Sequence, residues 1–173
     1  VKAQGVSYFS SAGNFSNKSY EKDFRPVDAA AAGFSGKMAH NFSNTAGAVD
    51  IFQHVKLAPG NYTIVLQWVD DIYSNGDIQG THFDVDMYYR TYSVALPAPT
   101  QWKGFNRDNS DGDPLEIMPF IISDTTDADF LILNNNTDGN PVRFKYVIYR
   151  GDLAILEYNE GTSTLVGQAN AAG

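Results

Sequence analysis

Short alternating apolar runs, each closed by turn residues, constrain this chain more than any other feature. The clearest covers residues 62–71, where Tyr62, Ile64, Leu66 and Trp68 alternate with Thr63, Val65, Gln67 and Val69. A period of two marks an extended strand, whose successive side chains point to opposite faces. Both sets are partly apolar, as in a central strand of a packed sandwich, and Trp68 reads as core. Pro59-Gly60 opens this run and Ser74-Asn75-Gly76-Asp77 breaks it. The same reading places strands at residues 49–57, 115–122, 130–133, 142–150 and 153–158, and a strand or bent pair at 83–96. In the bent pair, Phe83, Val85, Met87 and Tyr89 share one face, with Asp84, Asp86 and Tyr88 on the other. Pro119 inside the 115–122 run predicts an edge or a bulge. Residues 29–32 form a helical turn cut short by Gly33 and Gly36. Residues 16–25 read as a polar connector, 106–114 as a polar loop and 134–140 as a turn cluster. About eight strands at hairpin spacing, with no long helix, predict an all-β fold: an antiparallel β-sandwich, jelly-roll-like.

Composition removes several function classes. The 173 residues suit one domain. A net charge of −8 with only 12 Lys and Arg argues against nucleic acid, because phosphate binding needs a cationic surface. Without a basic stripe, the ten Tyr and eleven Phe read as core and sheet residues rather than base-stacking platforms. No run of eighteen apolar residues occurs, so no membrane span is expected. The absence of Cys excludes disulfides, thiol catalysis and cysteine zinc sites within the chain.

The candidate chemistry is sparse. Asn106, Asp108, Asp111 and Asp113, with Glu116 beyond them, offer oxygens of the kind Ca²⁺ takes, so a structural calcium is the one cofactor weighed. The EF-hand pattern fails, since taking Gly112 as the loop glycine puts Arg107 at the first ligand position. Asp70, Asp71, Asp84 and Asp86 form a second acidic group, and solvated turns and strand ends are the alternative for both. His40, His54 and His82 fall in no triad pattern. Ser163, within Gly161-Thr162-Ser163, reads as a loop serine. Trp102, in a loop after Pro99, is the surface candidate for a sugar-binding platform.

Both ends carry a resemblance. Residues 5–14 read GVSYFSSAGN, a β-branched and aromatic run that breaks into small residues and stops at Asn14. By themselves they describe a strand and a Gly-Asn turn. They also resemble the subtilisin-like serine protease strand that ends in the oxyanion-hole asparagine, A-A/S-G-N. NKSYEKDFR at 17–25 is similar to the same family. GQANAAG at 167–173 resembles the G-H-A-N-A-x-G segment of large secreted bacterial subtilases, with Gln168 in place of His. The middle resembles the pre-peptidase C-terminal type of β-sandwich through LAPGNYTIVLQW (57–68), FDVDMYY (83–89) and GDPLEI (112–117). The resemblance implies a β-sandwich inserted at 26–160, a flank at 1–25 and a return to the protease core at 161–173. It implies that Asn14 donates to the oxyanion of a parent serine endopeptidase, bacterial and secreted or on the cell surface. The triad would lie outside this chain, which alone would be non-catalytic. Its partners would be the catalytic domain of the same parent and that enzyme's protein substrate. The other reading is a carbohydrate- or surface-binding module. An insertion leaves and rejoins its host at nearby points, so residues 42–49 and 158–161 are expected at one end of the sandwich.

Overall fold

Strand β9 (Thr126–Asn134) is the axis of the larger of two sheets. The structure, a computed structural model, describes residues 15–92, 99–135 and 142–161. The expectations placed on Asn14, on Ser163 and on residues 167–173 lie outside the described residues. β6 (Val85–Thr91) pairs along one edge of β9. β4 (Gln53–Leu57) and β3 (Met38–His40) divide the other edge: β4 lies opposite residues 126–130 and β3 opposite Leu133 and Asn134. β11 (Leu153–Ile155) extends the sheet beyond β4, β2 (Pro26–Asp28) beyond β3 and β7 (Lys103–Phe105) beyond β6. The second sheet runs β1 (Ser19–Asp23), β10 (Arg143–Arg150), β5 (Gly60–Trp68), β8 (Leu115–Ile122). All these pairings are antiparallel, and the two sheets make an antiparallel β-sandwich. Among the described residues no helix is long and apolar enough to cross a membrane.

The period-two patterns decide what goes inside. On β5, Tyr62, Ile64, Leu66 and Trp68 enter the main core, while Thr63, Val65 and Gln67 face outward. Val85, Met87 and Tyr89 of β6 meet them from the other sheet with Ala128, Phe130 and Ile132 of β9. Each fully buried Ile or Leu here contributes about 1.5–3 kcal/mol of transfer free energy. β9 is buried on both faces, because Leu131 and Leu133 point the other way, into a second cluster with Ala29, Ala32, Ala39, Ile51 and Tyr88. The expected helical turn is a 3₁₀ turn, Ala30–Ala32, ended by Gly33 at φ 89°. It covers the outer face of the larger sheet. β8 is an edge strand of the four-stranded sheet, so Pro119 costs no ladder hydrogen bond on its open side.

Several boundaries differ from the pattern. The connector expected at residues 16–25 holds β1, which pairs with β10 and sends a wholly buried Tyr20 into the core. Its other side chains are polar because an edge strand needs only one apolar anchor. Val49 is 65% exposed, and the strand expected from there begins at Gln53. β6 ends at Thr91. Among the described residues, the strands not foreseen (β1, β2, β3 and β7) are five residues or fewer and carry few apolar positions from which to read a period.

Candidate functional site

Each histidine is engaged by a neighbour. His40 is fully buried; its Nδ1 accepts the Arg25 backbone N–H (3.1 Å), so Nε2 carries the proton toward the Tyr20 hydroxyl (2.9 Å). Burial, then the positive charges of Arg25 and Lys22, push this imidazole down to about 3, and it is neutral across the physiological range. His54 Nδ1 lies 3.1 Å from Asp129 Oδ1. His82 Nδ1 lies 3.2 Å from Asp70 Oδ1, and that carboxylate draws its proton affinity upward.

Trp102 does not stand clear of the surface. Its Nε1 donates to the Ala32 carbonyl (2.9 Å), and its ring stacks on Phe52 at 5.7 Å. The Arg90 guanidinium lies 4.5 Å from the Trp102 ring centre and 4.4 Å from that of Phe52. Arg90 Nε and Nη2 both reach Asp129 Oδ2, at 2.9 and 2.8 Å, and Tyr92 donates to the same oxygen at 2.5 Å. Asp129 is thus a buried carboxylate with every oxygen engaged, and the group clamps residues 99–105 onto the larger sheet. The indole that sequence offered for sugar stacking is committed to this clamp.

The acidic loop is spread rather than convergent. Asp108 accepts the Ser110 N–H (3.0 Å) and Asp113 the Ser74 N–H (2.8 Å), while Asn106 reaches the Tyr88 hydroxyl. Asp111 has φ 66° and donates its N–H to the Thr81 carbonyl (3.1 Å). Gly80 packs against this turn; a Cβ there would sit 2.4 Å from the Asp111 carbonyl carbon, so only glycine fits. Asp70, Asp71 and His82 bring ligand atoms within 4.8 Å of one another. Asp70, however, already accepts from the Thr81 hydroxyl (2.5 Å) and from the N–H groups of Asp71 (2.9 Å), His82 (2.7 Å) and Phe83 (2.9 Å). Burial alone raises this carboxyl, but those bonds outweigh it and hold it below the usual carboxylate range. It organises the loop.

A different set gathers behind the loop. Asp84 and Asp86 lie at the start of β6, Asn109 in the loop, Glu116 on β8 and Asn135 just past β9. Asn135 Nδ2 donates to Asp84 Oδ2 (2.6 Å) and Asp86 Oδ2 (2.8 Å), and the Asn109 N–H to Asp84 Oδ1 (3.2 Å). Asn109 Nδ2 is turned to the carbonyls of Asp113 (3.2 Å) and Leu115 (2.9 Å). These bonds fix both amides, leaving Asn109 Oδ1 and Asn135 Oδ1 as acceptors. Both are buried without a hydrogen-bond donor, as are Asp86 Oδ1 and Glu116 Oε1. Burial, with Asp84 adding like charge, pushes Asp86 up to about 6; burial and then Asp86 push Glu116 up to about 7. Sequence pattern grouped Asp84 and Asp86 with Asp70 and Asp71 as acidic candidates, with solvated turns and strand ends as the alternative, and put Asn135 in a turn cluster. The parity of Glu116 with Met118 on β8 was the one available sign that it points inward.

No family model, curated protein or solved structure matches this chain. The geometry at the ends of the sandwich therefore bears on function by itself. Tyr158 stacks on Phe42 (6.3 Å) and donates to Asp50 Oδ2 (2.8 Å). Asn44 Nδ2 donates to Glu160 Oε1, and Lys22 pairs with Glu160 Oε2. Segments 42–50 and 158–160 thus lie side by side, as expected for residues 42–49 and 158–161.

Proposed function

We propose that this chain is the non-catalytic β-sandwich of a secreted, subtilisin-like serine endopeptidase, inserted beside the active-site cleft and governing access or recognition of protein substrates. The observation that carries the reading is the junction at Glu160. This residue, close to the last described position, ties back to Lys22 in the first strand and to Asn44. Ser19 stands three residues before Lys22, about 10 Å along an extended chain. A sandwich whose entry and exit converge in this way can be carried on a host loop without separating the host's neighbouring elements. In this reading the module starts at Ser19 rather than at residue 26, because β1 pairs with β10. The described histidines are occupied by Tyr20, Asp129 and Asp70, which suits a module whose host supplies the triad.

The test is made in the parent enzyme, after reading its gene for Asp and His motifs upstream and G-T-S-x-A-x-P downstream. Replacing residues 19–161 by a short Gly/Ser linker leaves cleavage of a short peptide within about tenfold, a limit of about 1.4 kcal/mol in transition-state stabilisation. Cleavage of a folded protein changes much more. Equal losses on both would instead make the sandwich a support of the catalytic fold.

A further inference from the structure

We propose that Asp84, Asp86, Asn109, Glu116 and Asn135 form a buried binding site for one Ca²⁺ ion, distinct from the acidic loop in front of it. The argument starts from four oxygens. Asp86 Oδ1, Asn109 Oδ1, Glu116 Oε1 and Asn135 Oδ1 are all buried and all lack a donor. Asp86, Asn109 and Glu116 are 1, 2 and 5% exposed as whole residues. Buried polar groups are satisfied as a rule, and a carboxylate without a partner is the costliest exception. Asn135 and Asp84 join Asp86 and Asn109 by hydrogen bonds, and Glu116 lies near enough to feel the charge of Asp86 and Asp84. The Asn109 and Asn135 amide donors are spent on other acceptors. Lys37 acts on Asp86 and Arg107 on Glu116 through charge, but neither bonds any of the four oxygens, which leaves room for a cation in direct contact.

The donor set selects the ion. It consists of carboxylate and amide oxygens with no nitrogen or sulfur, which disfavours zinc and suits a hard cation. Ca²⁺ takes six to eight such oxygens at 2.3–2.6 Å in flexible geometry, whereas Mg²⁺ requires a tight octahedron and retains water. Asp84, Asp86 and Glu116 are not drawn within the 4.8 Å at which Asp70, Asp71 and His82 gather. Binding would draw them together, since one Ca²⁺ takes its oxygens at 2.3–2.6 Å. The approach is open: Asn109 and Glu116 also line a cleft of about 730 Å³ whose rim carries Asp108, Asp111 and Asp113. Asp108, Asp111 and Asp113 outnumber Arg107 along this cleft, so its entrance is net negative.

The test uses the full chain stripped with EDTA. Calcium is expected to bind with a stoichiometry of one and, at about a hundred times Kd, to raise Tm by roughly 5–10 °C. Mg²⁺ at equal concentration gives a smaller shift. On titration, the side-chain amide signals of Asn109 and Asn135 move in the NMR spectrum. The Asp86→Asn, Glu116→Gln double variant loses the calcium-dependent shift. It keeps the fold, because it removes repulsion and leaves shape unchanged. Replacing Asp108, Asp111 and Asp113 together by Asn weakens binding without abolishing it. No change in Tm with calcium, or unmoved Asn109 and Asn135 amides in the wild-type chain, would overturn the proposal, and the buried carboxyls would then be protonated and hydrated. Abolition of binding by the loop triple variant, with the double variant unaffected, would overturn it equally by placing the ion in the loop.

Discussion

His40 shows how burial sets the chemistry of a single residue. Its imidazole sits against Tyr20, Phe42 and Phe144, with its ring nitrogens spent on the Arg25 N–H and the Tyr20 hydroxyl. A proton added there would be desolvated and would face the Arg25 charge. The folded-state value of about 3 lies below the 6.5 of the free side chain. The unfolded chain therefore takes up the proton first as pH falls. The stability His40 contributes is complete above about pH 6.5 and is lost between there and about pH 3, at up to about 1.4 kcal/mol per pH unit. Asp86 and Glu116 bind protons in the folded state over part of that range, with the opposite sign. The readout is accordingly the difference in unfolding free energy between the wild type and His40→Gln, which shrinks as pH is lowered from 7 to 4. NMR of the ring should show a neutral Nε2–H tautomer at pH 5. A ring that protonates near pH 6.5 would refute the burial argument. Of the site residues, Asp84, Asp86 and Glu116 were legible as acidic candidates, but only the alternation of Glu116 with Met118 signalled that it is buried. Asp84, Asn109 and Asn135 are 25 and 26 residues apart in steps along the chain, and no local period links them.

At the level of elements, legibility followed strand length and the number of apolar positions. β5 and β6 gave their inner faces outright, because four and three successive alternate residues fill the core. Pro119 announced an edge, and β8 is one. β1 was silent, since Glu21, Lys22 and Asp23 around its single anchor look like a solvated segment. Its place is set by partners that only the fold supplies: Tyr20 lies 5.8 Å from the Tyr146 ring and 5.3 Å from Phe42, and bonds His40. Tyr20→Ala should therefore cost about 3–5 kcal/mol, the range for deleting a large buried ring. Denaturant unfolding measures it, with the slope m unchanged if β1 remains paired. A cost below about 1 kcal/mol would return residues 19–23 to the role of a dispensable connector. The three-residue strands β3, β7 and β11 carry no period of their own and form on the edges of the longer β9, β6 and β4, and β2 in turn adds to β3.

The whole molecule adds a property that no single element has, its net charge of −8. Placed beside a protease cleft, as proposed, an acidic sandwich acts on substrates before contact. Its field reaches about one Debye length, about 10 Å at 0.1 M salt, which spans the approach of a folded protein but means little to a short neutral peptide. Steering of this kind changes association rates by factors of roughly 10 to 1,000. In the parent enzyme at low salt, basic folded proteins should be cleaved faster than acidic ones of equal intrinsic susceptibility, by about tenfold. Replacing residues 19–161 by a linker should remove most of that preference, and so should raising salt to about 1 M, where the Debye length is about 3 Å. The two treatments should not add, because both abolish the same field. Cleavage rates on a matched acidic and basic pair, at two salt concentrations, with and without the sandwich, decide the matter. A preference that survives high salt would come from contacts inside the cleft, and one that survives removal of the sandwich would belong to the catalytic domain. Either result would leave the sandwich to act by steric screening alone.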